Sequence, residues 1–113
     1  MDAKLTYPYY IVQDMDAALN FYQNALGLKL KFRDGSKWAE LTCKAGNRLA
    51  LASAEEGAAG AKGAVVCLEA DEVDAAITEH GGTVLNVRPA GSYGEITTLR
   101  DPSGNFLQVL RKF

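Results

Sequence analysis

The side chains best suited to hold a small molecule are aromatic and polar residues spaced for one face of a sheet. Trp38, Glu40, Arg48 and Ala50 fall on one parity of two extended runs, and Thr98, Phe106 and Gln108 fall on the matching parity later in the chain. Tyr7 and Tyr9 share one side of the first extended run. A rigid ring combines apolar area with a polar tip, which makes Trp38 and Tyr93 the foremost binding candidates. Tyr93 sits in the glycine-rich stretch Gly91-Ser92-Tyr93-Gly94, which suits a lip over a cleft. Arg48, and Arg100 on the same parity, favour an anionic group over a large cation. Glu40 can act as a base or accept a ligand's hydrogen bond; the competing expectation is a cross-strand ion pair with Lys29. Gln108 stands between Leu107 and Val109 and needs a partner for its amide, whether ligand, water or Tyr7. Packing against a dimer partner is the alternative use of Tyr7, Tyr9, Trp38 and Tyr93. His80, the single histidine, ends a helical stretch just before Gly81-Gly82, where a helix C-terminus favours a cation. The sequence contains no nucleophile elbow and no phosphate loop.

The elements that must carry these side chains come twice. Asp16-Ala17-Ala18-Leu19 returns 58 positions later as Asp74-Ala75-Ala76-Ile77, and Leu41, Gly46-Asn47 and Leu49 return at the same offset as Leu99, Gly104-Asn105 and Leu107. The run 5–12, rich in aromatic and β-branched types, reads as a strand. Asp14 is placed to cap a helix on which Met15, Ala18, Leu19, Tyr22 and Leu26 recur at helical spacing, and Gly27 stops it. Strands at 28–33, 38–43 and 48–52 follow, the first two joined by a two-residue turn at Asp34-Gly35. The second half repeats this with strands at 64–68, 83–87, 95–100 and 106–110. Between the first two lies a helix opened by a capping box at Asp71 and Asp74, with Val73, Ala76, Ile77 and His80 on one face. The expected division is a first βαβββ unit at 1–52, a tether at 53–63 and a second unit at 64–113. Alternation puts Leu28, Leu30 and Phe32 with Ala39, Leu41 and Cys43 on the side a helix covers, joined by Leu49, Leu51, Leu99, Leu107 and Val109. The opposite faces are too polar for core and too aromatic for plain surface. Turned toward each other, within one chain or between two, they would line a concavity.

A chain of 113 residues, 48% hydrophobic and 23% charged, is ordinary for one globular domain, and is too short for two independent cores. With a net charge of −2 and no basic run, nucleic acid and anionic membranes are not expected partners. No apolar run reaches spanning length and no signal peptide is evident, so a cytoplasmic protein is expected. Cys43 and Cys67 form neither a zinc spacing nor a disulfide framework.

The string Asp14-x-x-x-Ala18-x-x-Phe21-Tyr22-x-x-x-Leu26-Gly27, followed far downstream by Asp101-Pro102-Ser103-Gly104-Asn105, resembles the vicinal-oxygen-chelate superfamily. That group includes glyoxalase I, extradiol dioxygenases, fosfomycin-resistance enzymes and bleomycin-resistance proteins. The resemblance spans essentially the whole chain. It implies an α+β fold of paired βαβββ modules forming a cupped mixed sheet, commonly as a dimer. Its chemically active members hold a divalent metal with His and Glu from four strand positions. Carried over by motif, those positions are Tyr7, Ala50 (within Leu49-Ala50-Leu51), Ala64 and Gln108; none is His or Glu, and two have no donor atom. The expectation is therefore no metal and no cofactor. The chain is read as a homodimeric binding protein that sequesters or senses a small aromatic or anionic molecule, as bleomycin-resistance proteins hold a drug. Pro8 matches a proline linked in those relatives to exchange of the first strand between subunits; simple tolerance of proline in a first strand is the other reading. The rival functions are a lyase, isomerase or dioxygenase of the same superfamily, and a dimeric interaction module without a ligand.

Overall fold

The computed structural model describes residues 2, 6–57, 65–92 and 94–113. In chain order they form β1 (Tyr9–Ile11), α1 (Met15–Asn20) running into a π-helical turn (Phe21–Ala25), β2 (Lys29–Asp34), β3 (Trp38–Thr42) and β4 (Arg48–Ala52). The second half gives β5 (Val66–Glu69), α2 (Ala76–Glu79), β6 (Thr83–Pro89), β7 (Gly94–Arg100) and β8 (Phe106–Lys112). Two four-stranded mixed sheets result, ordered β1-β4-β3-β2 and β5-β8-β7-β6. In each, the first strand runs parallel to the last while the remaining pairs are antiparallel. This is the α+β architecture expected from the doubled pattern.

Local chemistry explains most boundaries. β1 begins late because Pro8 has no N–H to donate, although its carbonyl still accepts from Ala50 N at 3.0 Å. Asp14 Oδ1 accepts from Ala17 N at 3.0 Å, the expected cap, and Gly27 ends the helical stretch at φ 73°. The turns Cys43–Asn47 and Asp101–Asn105 are backbone copies. Cys43 N donates to Asn47 O at 2.8 Å and Asp101 N to Asn105 O at 2.9 Å, with Gly46 and Gly104 at φ 91° and 86°.

Three expectations need correction. Asp34 pairs with Trp38, so the β2–β3 connection has three residues, closed by Lys37 N donating to Asp34 O at 3.0 Å. β2 also carries a bulge: Leu30 lies opposite Leu41, but Phe32 lies opposite Glu40. The three-residue connection sets Phe32 on the Glu40 face, and the extra residue then reverses parity so that Leu30 stays on the helix-covered face. The same irregularity separates Val84 (opposite Leu99) from Asn86 (opposite Thr98). Third, α2 has only four residues and no capping box at Asp71; Asp74 Oδ1 instead accepts from Ala76 N at 2.9 Å. Val12 and Ala70 occupy equivalent places, each donating to the last strand of its sheet, at Ala52 O and Leu110 O. From there to the glycine stop is fifteen positions in the first half (Gly27) and eleven in the second (Gly81). The second half is thus short by about one helical turn.

One core serves both halves. Leu41, Leu49 and Leu51 from one sheet and Leu99, Leu107 and Val109 from the other join Met15, Ala18, Leu19, Phe21, Tyr22 and Ile77 in a single buried cluster. Gly94 is required where β7 meets β8, because a Cβ there would lie 2.0 Å from the Arg111 carbonyl oxygen. Gly94→Ala is expected to cost about 1–3 kcal/mol in urea unfolding, with faster amide exchange at the β7–β8 end. Among the described residues, no helix is long and apolar enough to cross a membrane.

Candidate functional site

The outward face of the first sheet gathers Tyr7, Tyr9, Trp38, Glu40, Arg48 and Ala50, all singled out by type and spacing. The Tyr7 and Tyr9 rings lie 5.6 and 5.5 Å from the Trp38 ring, between centroids, at edge and tilted angles. Arg48 places its guanidinium 5.4 Å from the centre of the Tyr7 ring. Beneath them Ala50 is fully buried and Glu40 only 7% exposed. The Glu40 carboxylate accepts from Trp38 Nε1 at 3.2 Å on one oxygen and from Arg48 Nη1 at 3.1 Å on the other. The anticipated Lys29 pair does not form: the three-residue connection sets Phe32 opposite Glu40, and Lys29 lies opposite Thr42. With one donor on each oxygen, this carboxylate orients Trp38 and Arg48. Phe32, set on this face by the three-residue connection and 46% exposed, extends the aromatic wall. Only the true length of that connection could have placed it there.

The second sheet contributes Phe106 and Gln108 on its own outward face. Gln108 Nε2 donates to Thr98 Oγ1 at 3.1 Å, so its partner is a neighbour on β7. Tyr7 precedes a strand of the other sheet and is not its cross-strand partner. Phe106 is exposed, with the Arg100 guanidinium 5.3 Å from its ring centre. Tyr93 lies outside the described residues. His80 caps α2, and its Nδ1 lies 3.2 Å from Asn20 Nδ2, linking the helices of the two halves. A groove lined by Asp71, Val84, Val87 and Glu95 and another between the Cys43–Asn47 turn and β5 are not lined by Trp38, Glu40, Phe106 or Gln108.

The arrangement is a wall of rings with one guanidinium at its edge, its side chain 31% exposed. Arg48 gives Glu40 one of five N–H groups, leaving others to meet an anion lying flat on the rings. Arg48→Met keeps much of the stem but strips a buried carboxylate of its counter-charge. The expected loss is about 1–3 kcal/mol in urea unfolding, below the usual cost of breaking a buried pair because Arg48 is partly solvated.

The positions that the resemblance assigns to metal ligands do not fit a divalent ion. Ala50 presents a buried methyl group, the Gln108 amide is bonded to Thr98, and the Tyr7 ring is packed between Trp38 and Arg48. Ala64, the fourth position, lies outside the described residues and carries no donor atom. Among the described residues no three His, Cys, Asp or Glu side chains are grouped to hold a metal.

A different constellation joins the halves. Asp101, 3% exposed, accepts on Oδ1 from Ser103 N (2.9 Å) and Asn105 N (2.8 Å). On Oδ2 it accepts from Tyr22 OH and Asn105 Nδ2, both at 3.0 Å. Asn105 Nδ2 also reaches Ile11 O at 2.8 Å, and Tyr10 OH donates to Phe106 O at 2.6 Å while accepting from Val66 N at 3.0 Å. Burial, with the Asp101 charge adding to it, pushes the Tyr22 phenol far above its ordinary value. Burial also raises Tyr10, partly offset by the Val66 N–H. The motif Asp101-Pro102-Ser103-Gly104-Asn105 reads as a turn in sequence; that its carboxylate is the buried acceptor for a tyrosine 79 positions away was not legible there.

Two cupped βαβββ sheets sharing one core define a glyoxalase-type fold. The family model for the glyoxalase/bleomycin resistance protein/dioxygenase superfamily matches residues 4–109, and the chain belongs to that superfamily. Lactoylglutathione lyase from Agrobacterium tumefaciens superposes with TM-score 0.76 at 20% identity, covering 97% of this chain and 94% of that one. A fosfomycin resistance protein from Listeria monocytogenes, complexed with Mn(II) and dihydroxypropylphosphonic acid, gives 0.77 at 17%, covering 100% and 93%. An antibiotic binding protein from Streptomyces sp. CB03234 gives 0.72 at 21%, covering 99% and 98%. No curated protein matches the chain in sequence.

Proposed function

We propose that this chain is a metal-independent binding protein that sequesters or senses a small planar molecule, aromatic or anionic, on the Tyr7–Tyr9–Trp38–Arg48 wall. The observation that carries the reading is that the superfamily's ligand-bearing face is kept in shape but furnished with rings and one guanidinium. Stacking on Trp38 and Tyr7 supplies apolar contact, and the spare N–H groups of Arg48 select an anionic substituent. An antibiotic binding protein and a fosfomycin resistance protein share this fold, which supports the reading.

The binding unit is a homodimer. Leu30 and Phe32 on edge strand β2, Val84 and Val87 on edge strand β6, and Phe106 on β8 are all at least 40% exposed, apolar surface that a second copy can cover. A second copy covering the wall would supply the water-excluding side that one chain lacks. Metal analysis of the purified protein, combined with Trp38 fluorescence titrations against a panel of aromatic carboxylates, tests the proposal. Saturable quenching without bound metal, absent in Trp38→Phe, is the expected result. Stoichiometric Zn, Ni, Mn or Fe would overturn metal independence. A panel that never perturbs Trp38 would overturn the ring wall as the site. Light scattering at micromolar concentration should give twice the mass of the chain, and a monomer would remove the dimeric part.

A further inference from the structure

We propose a second binding site, for a small uncharged aromatic molecule, in the groove between the Cys43–Asn47 turn and β5. The groove encloses about 1270 Å³ and is walled by Leu26, Leu28, Cys43, Leu68, Val73 and Ile77. Its far end reaches Tyr7 and Arg48, but Trp38 does not line it.

The internal repeat shows what such a groove takes. Each half offers the other a turn of identical backbone, Asp101–Asn105 from the second and Cys43–Asn47 from the first. At the first junction the π-helical turn of the first half drives two rings, Phe21 and Tyr22, into the second half, where both are fully buried. A Cβ on Gly82 would come within 2.5 Å of the Phe21 ring, so that ring fills the space against the second half completely. At the second junction the matching turn of helix does not exist. Leu19 and Ile77 correspond and are both buried, but seven residues separate Leu19 from Gly27 while three separate Ile77 from Gly81. The residues missing from the second half are those that carry the ring pair in the first.

The polar members of the filled junction are replaced as well. Fifty-eight positions before Asp101 stands Cys43, and fifty-eight after Tyr10 stands Leu68. The open junction therefore has the backbone frame of a ring-binding joint, no counterpart of the Phe21–Tyr22 pair, and a floor of Leu26, Leu28, Leu68, Val73 and Ile77, with Tyr7 and Arg48 only at its far end. Glu72 and Asp74 stand at its rim with Lys44 opposite, and Glu69 is paired with Lys112 at 2.8 Å. An uncharged ring matches that floor, whereas a charged one would be desolvated there without a partner.

The thiols make the test direct, since both line the groove, Cys43 half-buried and Cys67 exposed. With 2-naphthol at about ten times its Kd, the free fraction falls about tenfold, and the rate of iodoacetamide alkylation at Cys43 should fall with it while that of N-acetylcysteine in the same solution holds. Val73→Phe, which places a ring in the groove, should abolish the protection. Should that variant not fold, the wild-type thermal shift with 2-naphthol serves in its place, and a rise in Tm with ligand is expected. Trp38→Phe should leave protection intact, which separates this site from the ring wall whether or not that wall binds anything. No protection of Cys43 at saturation, protection that survives in a folded Val73→Phe, or loss of protection in Trp38→Phe overturns the proposal. So does Cys43 protection that depends on protein concentration alone, which would show a second copy covering the groove.

Discussion

Asp101→Ala should lower the free energy of unfolding by about 3–5 kcal/mol, a large part of what holds a domain of this size together. The alanine strands four donors at once: two backbone N–H groups in the turn, the Asn105 amide and the Tyr22 hydroxyl. Asp101 is 3% exposed and Tyr22 fully buried, so water cannot replace the lost acceptor without opening the joint. Tyr22→Phe removes one of these bonds and keeps the ring, and should cost about 1.5–3 kcal/mol, the range for a hydrogen bond to a charged group. Urea unfolding followed by far-ultraviolet circular dichroism measures both. An Asp101→Ala variant within about 1 kcal/mol of the wild type would show that the turn is held by its backbone alone.

Stability should also fall steeply in alkali. The folded chain raises the Tyr10 and Tyr22 phenols above the ordinary value of 10.0. A raised value means that the folded state keeps its proton where the unfolded state has lost it. The stabilisation is complete below pH 10 and is lost as pH rises through the window between the unfolded and folded values. Each phenol kept protonated contributes a slope of about 1.4 kcal/mol per pH unit in that window. Urea midpoints measured between about pH 9 and 11.5 should fall with a steepening slope, and Tyr22→Phe should remove its share of that slope. A flat profile would mean that the joint opens to solvent before its phenols ionise.

The contrast between what the chain announces and what it conceals follows the range of the interactions. The cap at Asp14, the stop at Gly27 and the paired turns at Cys43 and Asp101 depend on residues a few positions apart, and all could be read directly. So could the parity that sets Trp38, Glu40, Arg48 and Ala50 against Leu41, Leu49 and Leu51. The bulge in β2 was hidden, since a bulge is a property of two strands together and Lys31 has no side-chain signature for it. The misplacement of Phe32 and the wrong partner for Glu40 came from the connection, one residue longer than Asp34-Gly35 announces. The repeat offset suggested a full second helix, because Asp74–Ile77 matches its counterpart; the shortfall lies after Ile77, where there is nothing left to match. Gln108 was correctly judged to need a partner, but Thr98 is found only once β7 and β8 are in register.

The two copied turns bear on how such a chain came to be. A unit that arose by duplication began as two equal halves able to pair with themselves. That ability is gone from the first half: set against its own twin, Tyr22 would meet Cys43, which offers no carboxylate to its hydroxyl. The substitution makes the joint directional, one half supplying the phenol and the other the acceptor. Two first halves expressed alone should ignore each other, and only the ordered pair closes.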